Sequence, residues 1–561
     1  MQTIFSEANM CHFQNAINMT ESSLQNLKKI VKLKESRLEN WHEEFQNYKP
    51  SLKFVNSNLR NDVTSISQNL EYSLEKKEHF HEYKVYKILA FLQYKQIKPT
   101  ESNINPTYKV ENRSSKGRYF MLRMDECFLD NYKRAIWNPD FRGKLENIRS
   151  NVINMTRSYG YCCIKQDDEV AKIQHLYKII NKMKEFYELL HTFVKQGLKK
   201  NYNLSDSDFP GGRIPIHLTG DLWGSDWTNF DSNDNFEKDI NTLIQDKSMS
   251  LLDLAQTTLA YFDDLNFPKL PYSFYNKSIF QTKNKCNLSV KDPVTYNMLN
   301  CRDYRLTLCA DPTYSTWFTI YHQIGHIVYY DAFSKLPLTM QHPMSLEFEE
   351  AVGEVIALSA LNLENLKRMN LLPQGKDLRK RFLLHQALRD IPKMMYFLTL
   401  EIWKYKLIEG QTDSTKLNEL WWQYVGEIQG LEMPREIKKD VKDFFTLGLN
   451  HFIVSNANIP KYLNAIVLKY QIFEGLCDKS IDEINMELSQ CDLFDNKVAG
   501  GLLRSIMEKG RGIEWHEGLK ILTKRDYIDF KSIFNYYKPL IQYLKKNLNE
   551  TKFDWKIKSI L

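Results

Sequence analysis

The stretch Y-H-Q-I-G-H at residues 321–326 contains two histidines four positions apart, within an apolar, proline-free segment at 315–330. Such a segment is typical of a buried helix. Residues four apart on a helix lie on one face, one turn above the other, so His322 and His326 can bind one metal ion. With thirteen histidines in the chain, such pairs also arise by chance, and a metal site needs a third ligand.

A second helical pattern, at residues 346–355, supplies a candidate for that ligand. Glu350 and Glu354 lie one turn apart in it, beside apolar residues that recur every three or four positions. The first carboxylate could bind the metal, while the second could accept a hydrogen bond from a liganding histidine and fix its tautomer. The alternative interpretation is an acidic, solvated helix face, and the spacing alone does not decide between the two.

The rest of the sequence also favours helices. Glycine and proline are sparse, at 21 and 17 of 561 residues, and apolar residues recur at helical spacing, as at 173–183. We see no convincing strand alternation, repeat or linker, so the chain is predicted to be an all-α, predominantly helical single domain. No apolar window is long enough to span a membrane. The small net charge of +7, spread along the chain, argues against a nucleic-acid partner.

The cellular compartment is indicated only indirectly. The N-terminal residues include Glu7 and several polar side chains where a signal peptide needs an apolar run. The protein is therefore either cytosolic or lacks its leader in this sequence. Nine cysteines and several N-x-S/T sequons favour the second option. The sequons lie at Asn18, Asn112, Asn154, Asn203, Asn276, Asn287 and Asn549. We expect a secreted, extracellular protein whose signal peptide is not visible here.

Position 323 carries the residue with the largest chemical consequence in the metal motif. In H-E-x-x-H zinc peptidases, a glutamate at this place is the general base that takes a proton from the attacking water. Gln323 is nearly isosteric with glutamate, but its amide cannot accept a proton at neutral pH. The sequence therefore keeps the metal ligands and loses the base.

Taken together, these segments resemble the angiotensin-converting enzyme family of zinc peptidyl-dipeptidases. The family pattern H-E-M-G-H…G-F-H-E-A-I-G-D-V corresponds to H-Q-I-G-H at 322–326 and E-F-E-E-A-V-G-E-V at 347–355, with the same spacing. The segment 212–227 resembles the family's G-P-I-P-A-H-L-L-G-N-M-W-A-Q-T-W, and Asn276 lies in a segment like its W-N-K-S glycosylation site. The likeness covers roughly residues 130 to 545, and more faintly the N-terminal helices.

The resemblance implies an all-α fold with two halves around a deep cleft and zinc at its floor. The whole chain, 1–561, would form one peptidase domain, with N-terminal lid helices at 1–110 and the body with the zinc site at 111–561. His322, His326 and Glu350 would hold one zinc ion. Glu354, where the family has aspartate, would support a liganding histidine. Export and a peptide or protein ligand are also implied.

The resemblance further indicates that the substrate side of the site departs from the family. The transition-state tyrosine is kept as Tyr462. The groups that hold the substrate are replaced, and the degenerate positions are Ser225, Asp292, Asn450 and Ile459. The proton-donating histidine falls on Phe452, although a one-residue shift of the alignment would place His451 there. Val425 and Phe193 stand where the family has chloride-binding residues, which makes chloride a doubtful cofactor.

The cysteines match the family only in part. Cys477 and Cys491 correspond to a family disulfide that closes a short loop. Cys309 corresponds to half of another disulfide, and its partner could be Cys286 or Cys301 after a local shift. The odd total of nine cysteines leaves at least one thiol unpaired or paired between chains.

From these changes we expect a protein that binds zinc but is weak or inactive as a peptidyl-dipeptidase, and that acts by binding a peptide or a partner. The joint loss of the base and the carboxylate clamp, with all three ligands kept, motivates this expectation. The alternative is an active zinc-dependent peptidase with altered specificity, for substrates without a free C-terminal carboxylate. A third interpretation is that no zinc binds and that the two helices are purely structural.

Overall fold

The computed structural model describes Met10 and residues 166–219, 221, 223–230, 235–286, 293–299, 302–337, 340–408, 416–433, 458–480, 487–548 and 553–557. At 166–172, 407–408 and 480 it describes the backbone alone. The predicted lid region at 1–110 therefore lies outside the described residues, Met10 apart. The described part is predominantly helical, which confirms the predicted fold class.

Thirteen α-helices lie in the described part of the chain and are numbered here in chain order. They are α1 (Gln166–Tyr202), α2 (Phe236–Asp246), α3 (Leu251–Asp264), α4 (Tyr272–Lys277), α5 (Tyr314–Ala332), α6 (Leu346–Ala360), α7 (Leu363–Arg368), α8 (Leu378–Ile408), α9 (Leu417–Tyr424), α10 (Ile459–Ser480), α11 (Lys497–Met507), α12 (Trp515–Thr523) and α13 (Lys531–Asn547). A π-helical turn follows α9 at Val425–Gln429. None of the described helices is long and apolar enough to cross a membrane.

Five short strands accompany these helices. They are β1 (Ile214–Pro215), β2 (Ile279–Gln281), β3 (Val294–Asn297), β4 (Tyr304–Cys309) and β5 (Leu431–Glu432). β1 pairs with β5 in parallel, while β4 lies between a parallel β2 and an antiparallel β3. The sequence hid β4 because its residues are buried without alternation, and such a strand lacks the period-two pattern.

The chain divides into two compact units. Apart from Met10, the described residues of the first unit fall within Glu237–Lys376 and Asn464–Tyr536. Those of the second unit fall within His81–Phe236, Asp377–Leu463 and Tyr537–Leu561. The first unit contains the three-stranded sheet together with α5 and α6, and the second contains α1 and α8.

Helix α5 lies in the core of the first unit. It begins after the N-cap Thr313, whose hydroxyl accepts a hydrogen bond from the backbone N–H of Thr316 at 3.1 Å. The Asn241 side chain accepts from the N–H of Tyr314 at 2.7 Å, which satisfies a further donor of the first turn. Trp317 is fully buried and donates its indole N–H to Thr258 at 3.1 Å. These contacts fix the helix that carries the histidine pair.

Helices α5 and α6 cross at a pair of glycines. A Cβ added to Gly325 would lie 2.4 Å from the Cα of Gly353, and one added to Gly353 would lie 2.3 Å from the carbonyl oxygen of Tyr321. Contacts this short with backbone atoms cannot be relieved by moving a side chain. Only glycine at both positions lets the backbones approach this closely. The crossing brings Glu350, one turn before Gly353, next to the histidines on either side of Gly325.

The second unit is organised around α1, which packs against α8. The segment 553–557 is held to α1 and to the π-helical turn by hydrogen bonds. Glu188 on α1 accepts from the backbone N–H of Ile557 at 2.8 Å, and the indole N–H of Trp555 donates to the carbonyl of Gly426 at 3.0 Å. The ring of His191 on α1 packs against Trp555 at a centroid distance of 4.4 Å, with the two ring planes tilted by 36°.

Two disulfides lie in the described residues of the first unit. Cys477 pairs with Cys491 across 14 positions of sequence, and Cys286 pairs with Cys309 across 23. Of the two partners left open for Cys309, the structure therefore pairs it with Cys286. The latter bond ties the end of β4 to the segment that follows β2.

Candidate metal centre

The three candidate ligands meet where α5 and α6 cross. The Nε2 atoms of His322 and His326 are 3.1 Å apart. The Oε2 atom of Glu350 lies 3.3 Å from Nε2 of His322 and 4.0 Å from Nε2 of His326. Among the described residues, these three side chains form a His-His-Glu group that could hold a metal ion.

The spacing and chemistry of the group fit zinc. Nitrogen and oxygen ligands at about 2.1 Å from a tetrahedral ion are about 3.4 Å from each other, and the three observed separations, 3.1 to 4.0 Å, bracket that value. Two histidines and one carboxylate form a ligand set of zinc hydrolases, in which a fourth position stays open. His326 and Glu350 are both buried, so a cation would be shielded from bulk water.

A carboxylate that the sequence analysis passed over supports His326. The Oε1 atom of Glu349 lies 3.3 Å from Nδ1 of His326 and accepts a hydrogen bond from the hydroxyl of Tyr330 at 2.9 Å. Burial raises the pKa of Glu349, but the hydrogen bond and charge of His326 outweigh it, so its pKa lies below the ordinary value. An acceptor at Nδ1 leaves Nε2 unprotonated for the metal. In the sequence, only its position next to Glu350 points to a role for Glu349. Adjacent glutamates also occur on solvated helix faces, so this signal is weak.

The carboxylate nearest to Nδ1 of His322, that of Glu354, is hydrogen-bonded elsewhere. Glu354 Oε1 lies 3.7 Å from Nδ1 of His322, longer than a hydrogen bond. The other oxygen, Oε2, accepts a hydrogen bond from Nζ of Lys469 on α10 at 3.0 Å. Sequence reasoning missed Lys469 because it lies more than one hundred residues downstream. The role assigned to Glu354 stays a prediction.

Gln323 is held by the three-stranded sheet. The Thr295 hydroxyl on β3 donates to Oε1 of Gln323 at 2.7 Å. In this orientation of the amide the hydroxyl is the donor, because an amide oxygen can only accept. Among the described residues, only the oxygen of this amide has a hydrogen-bond partner, so its nitrogen remains available as a donor.

Other predicted site residues lie in the second unit. Ser225 donates its hydroxyl to Asp221 at 2.7 Å, and Asp221 also accepts from nearby backbone N–H groups. Burial raises the pKa of Asp221, although hydrogen bonds from Ser225 oppose that shift. Ile459 is fully buried at the start of α10. The ring of Tyr462 stacks on Phe397 at a centroid distance of 5.8 Å.

Three further predicted site residues, Asp292, Asn450 and His451, lie outside the described residues. Of the two positions compared with chloride ligands, Val425 is fully buried and uncharged, and Phe193 packs against Phe230. The side chain of Asn276 is exposed at the end of α4, as an acceptor for a glycan must be.

A family model described as angiotensin-converting enzyme matches residues 1–555. The chain belongs to this family. The family is zinc-dependent and acts on peptides, which agrees with the His-His-Glu group.

Curated relatives of the chain carry the same family name. Angiotensin-converting enzyme of Theromyzon tessulatum is 28% identical over 373 residues, and that of Mus musculus 26% over 381. Angiotensin-converting enzyme-related protein of Drosophila melanogaster is 26% identical over 412 residues. These matches cover 65%, 66% and 71% of this chain. They span 59%, 28% and 64% of the respective relatives, which is less than two thirds of each.

Proposed function

We propose that this protein binds one zinc ion and retains peptides or a protein partner, with peptidyl-dipeptidase activity that is weak or absent. His322, His326 and Glu350 would hold the zinc. The ion would supply Lewis acidity at its open position. The residues around it decide whether that acidity leads to cleavage of a bound peptide.

The hydrogen bond between Thr295 and Gln323 carries this proposal. General-base assistance is worth about 10²–10⁴-fold in rate, and glutamine has no basic atom to provide it. Its oxygen accepts from Thr295 at 2.7 Å, and its second lone pair could still orient a water molecule without taking up a proton. The amide nitrogen adds a hydrogen-bond donor where hydrolysis needs a base. A donor there suits a carbonyl or carboxylate oxygen of a peptide that stays intact.

The replacements at the predicted substrate-binding positions support the same proposal. The hydroxyl of Ser225 is used within its own loop by Asp221, and Ile459 is a buried apolar side chain. Neither provides the donor that the family uses for a C-terminal carboxylate. Because several groups are replaced at once, restoring the base alone should not restore the reaction.

The test pairs binding with cleavage. The protein is purified, its zinc content is measured, and a peptide with a free C-terminus is titrated in by calorimetry while dipeptide release is followed. We expect saturable binding that is lost with a chelator, and release far below that of ordinary family members. Zinc-dependent cleavage at internal bonds would instead support an active peptidase with altered specificity. Purification without zinc, and no uptake on addition, would leave the helix pair a structural element.

We also propose that the protein is exported. Two disulfides in the first unit and an exposed sequon at Asn276 support this location, because structural disulfides persist in oxidising compartments. Expression through a secretory route should give a protein that a glycosidase specific for N-linked glycans shortens, with one glycan fewer in Asn276→Gln. An unchanged mass for the wild type would contradict export with glycosylation.

A further inference from the structure

We propose that Lys469 competes with His322 for the carboxylate of Glu354 and thereby lowers the affinity of the site for zinc. This inference rests on the proposed zinc binding and concerns its strength. Lys469 acts through Glu354 and is a positioning residue, since it does not touch the candidate ligands.

The Glu354 carboxylate lies closer to Lys469 than to His322. Glu354 Oε2 receives the ammonium of Lys469 at 3.0 Å, whereas Oε1 is 3.7 Å from Nδ1 of His322. An N–H···O hydrogen bond normally spans about 2.7–3.2 Å. Nδ1 of His322 is buried and makes no hydrogen bond with any described residue. The Glu354 carboxylate is therefore hydrogen-bonded to Lys469 and not to His322.

Burial explains why the lysine prevails. Lys469 is only 1% exposed, and a buried ammonium without a partner is costly. The ammonium attracts the carboxylate through its full positive charge, whereas the N–H of a neutral imidazole carries no net charge. Glu354 therefore lowers the free energy of the fold more by pairing with Lys469 than by turning to His322.

Two effects of this arrangement weaken the binding of a cation. A carboxylate at Nδ1 makes a histidine a stronger ligand and holds its ring in place, and loss of such a partner typically weakens metal binding about 10–100-fold. The positive charge of Lys469 also repels a divalent cation. The corresponding distance at His326, from Nδ1 to Oε1 of Glu349, is shorter, at 3.3 Å.

The experiment measures zinc affinity by competition with a chromophoric chelator. Lys469→Met removes the charge and keeps most of the length of the side chain, so the ammonium no longer draws Glu354 away from His322. We expect zinc to bind about tenfold or more tightly than in the wild type. Lys479→Met is the matched control, because Lys479 lies exposed on the same helix and donates to the carbonyl of Ile521. Its zinc affinity should equal that of the wild type.

A second substitution tests the route through Glu354. Glu354→Gln should weaken zinc binding more in the Lys469→Met background than in the wild type, because only there does Glu354 support His322. An unchanged or lower affinity in Lys469→Met, or equal effects of Glu354→Gln in both backgrounds, would overturn the proposal. These readouts are affinities, which a merely structural role of Lys469 would not raise.

Folding and the underlying zinc binding are checked separately. Each variant is unfolded thermally in chelator, and if Lys469→Met does not fold cooperatively, Lys469→Gln replaces it. A neutral amide competes less well than an ammonium, so a several-fold gain in affinity is expected and its absence contradicts the proposal. Failure of the wild type to bind zinc, with tight binding by the lysine variant, would count against the proposed function but support competition. Failure of both to bind would overturn both.

Discussion

At the residue scale, one atom separates Gln323 from the glutamate of active peptidases, and Thr295 determines how the amide is used. The threonine hydroxyl donates to the amide oxygen at 2.7 Å, which orients the amide, and the amide nitrogen is left as a hydrogen-bond donor. The chemistry of the site thus depends on a contact between a helix and a strand that are distant in sequence.

Gln323→Glu is the direct test of that residue. Restoring a base should raise dipeptide release at least about tenfold, since such assistance is worth about 10²–10⁴-fold. The rate should still stay well below that of ordinary family members, because the carboxylate clamp remains absent. Gln323→Ala, which removes donor and acceptor together, should show no gain. Full activity in the glutamate variant would show that the substrate side is intact.

A second residue-scale prediction concerns His191 on α1. Burial lowers the pKa of His191 to about 4, even though its Nε2–H donates to the carbonyl of Gly430 at 2.9 Å. The unfolded chain, with an ordinary histidine pKa of about 6.5, takes up a proton that the folded protein does not. The free energy of unfolding should therefore fall as the pH decreases from about 6.5 to about 4, by roughly 3 kcal/mol at most.

Denaturant unfolding at pH 7 and pH 4.5 measures this effect. His191→Gln should lose less stability over that interval than the wild type. His175→Gln, at an exposed position of the same helix, controls for the loss of a histidine. Equal losses in the wild type and His191→Gln would contradict the prediction.

At the element scale, the crossing of α5 and α6 assembles the three candidate ligands. Gly353→Ala would force a methyl group to within 2.3 Å of the Tyr321 carbonyl oxygen, and overpacking of this kind costs typically about 1–3 kcal/mol. We expect a loss at the upper end of that range, with weaker zinc binding because the helices must separate. Thermal unfolding and chelator competition measure the two effects.

Gly501→Ala on α11 is the matched control for this substitution. A methyl group there meets nothing within 4 Å, and alanine is a better helix former than glycine by about 1 kcal/mol. Its stability should stay the same or rise, with zinc affinity unchanged. If Gly501→Ala destabilises the protein as much as Gly353→Ala, the close approach of α5 and α6 is not the cause of the loss.

How much the sequence predicts also differs by element. The helices of the metal centre are predictable, because the apolar periodicity and the spacing of His322, His326 and Glu350 are local signals. Strand β4 is not, because it is buried without alternation. Thr295 and Lys469 could not be assigned either, since their contacts join segments that only tertiary packing brings together. Glu349 differs again: it is adjacent to Glu350, but a sequence does not reveal which glutamate faces a ring nitrogen.

At the scale of the whole molecule, the disulfides determine the conditions under which the first unit is stable. The Cys477–Cys491 bond closes a loop of 14 positions, and in the chain-entropy model a loop of that size contributes about 3 kcal/mol. A double Cys477→Ser, Cys491→Ser variant should be destabilised by about that amount in denaturant unfolding. Under reducing conditions the difference from the wild type should shrink, since both proteins then lack the bond.

The proposed zinc site and the proposed loss of cleavage can be tested on one sample. Zinc content and dipeptide release are both measured on the same natively purified protein. We predict about one zinc per chain together with release far below that of ordinary family members on a peptide with a free C-terminus. Turnover at their level, abolished by a chelator and restored by zinc, would contradict the proposed function.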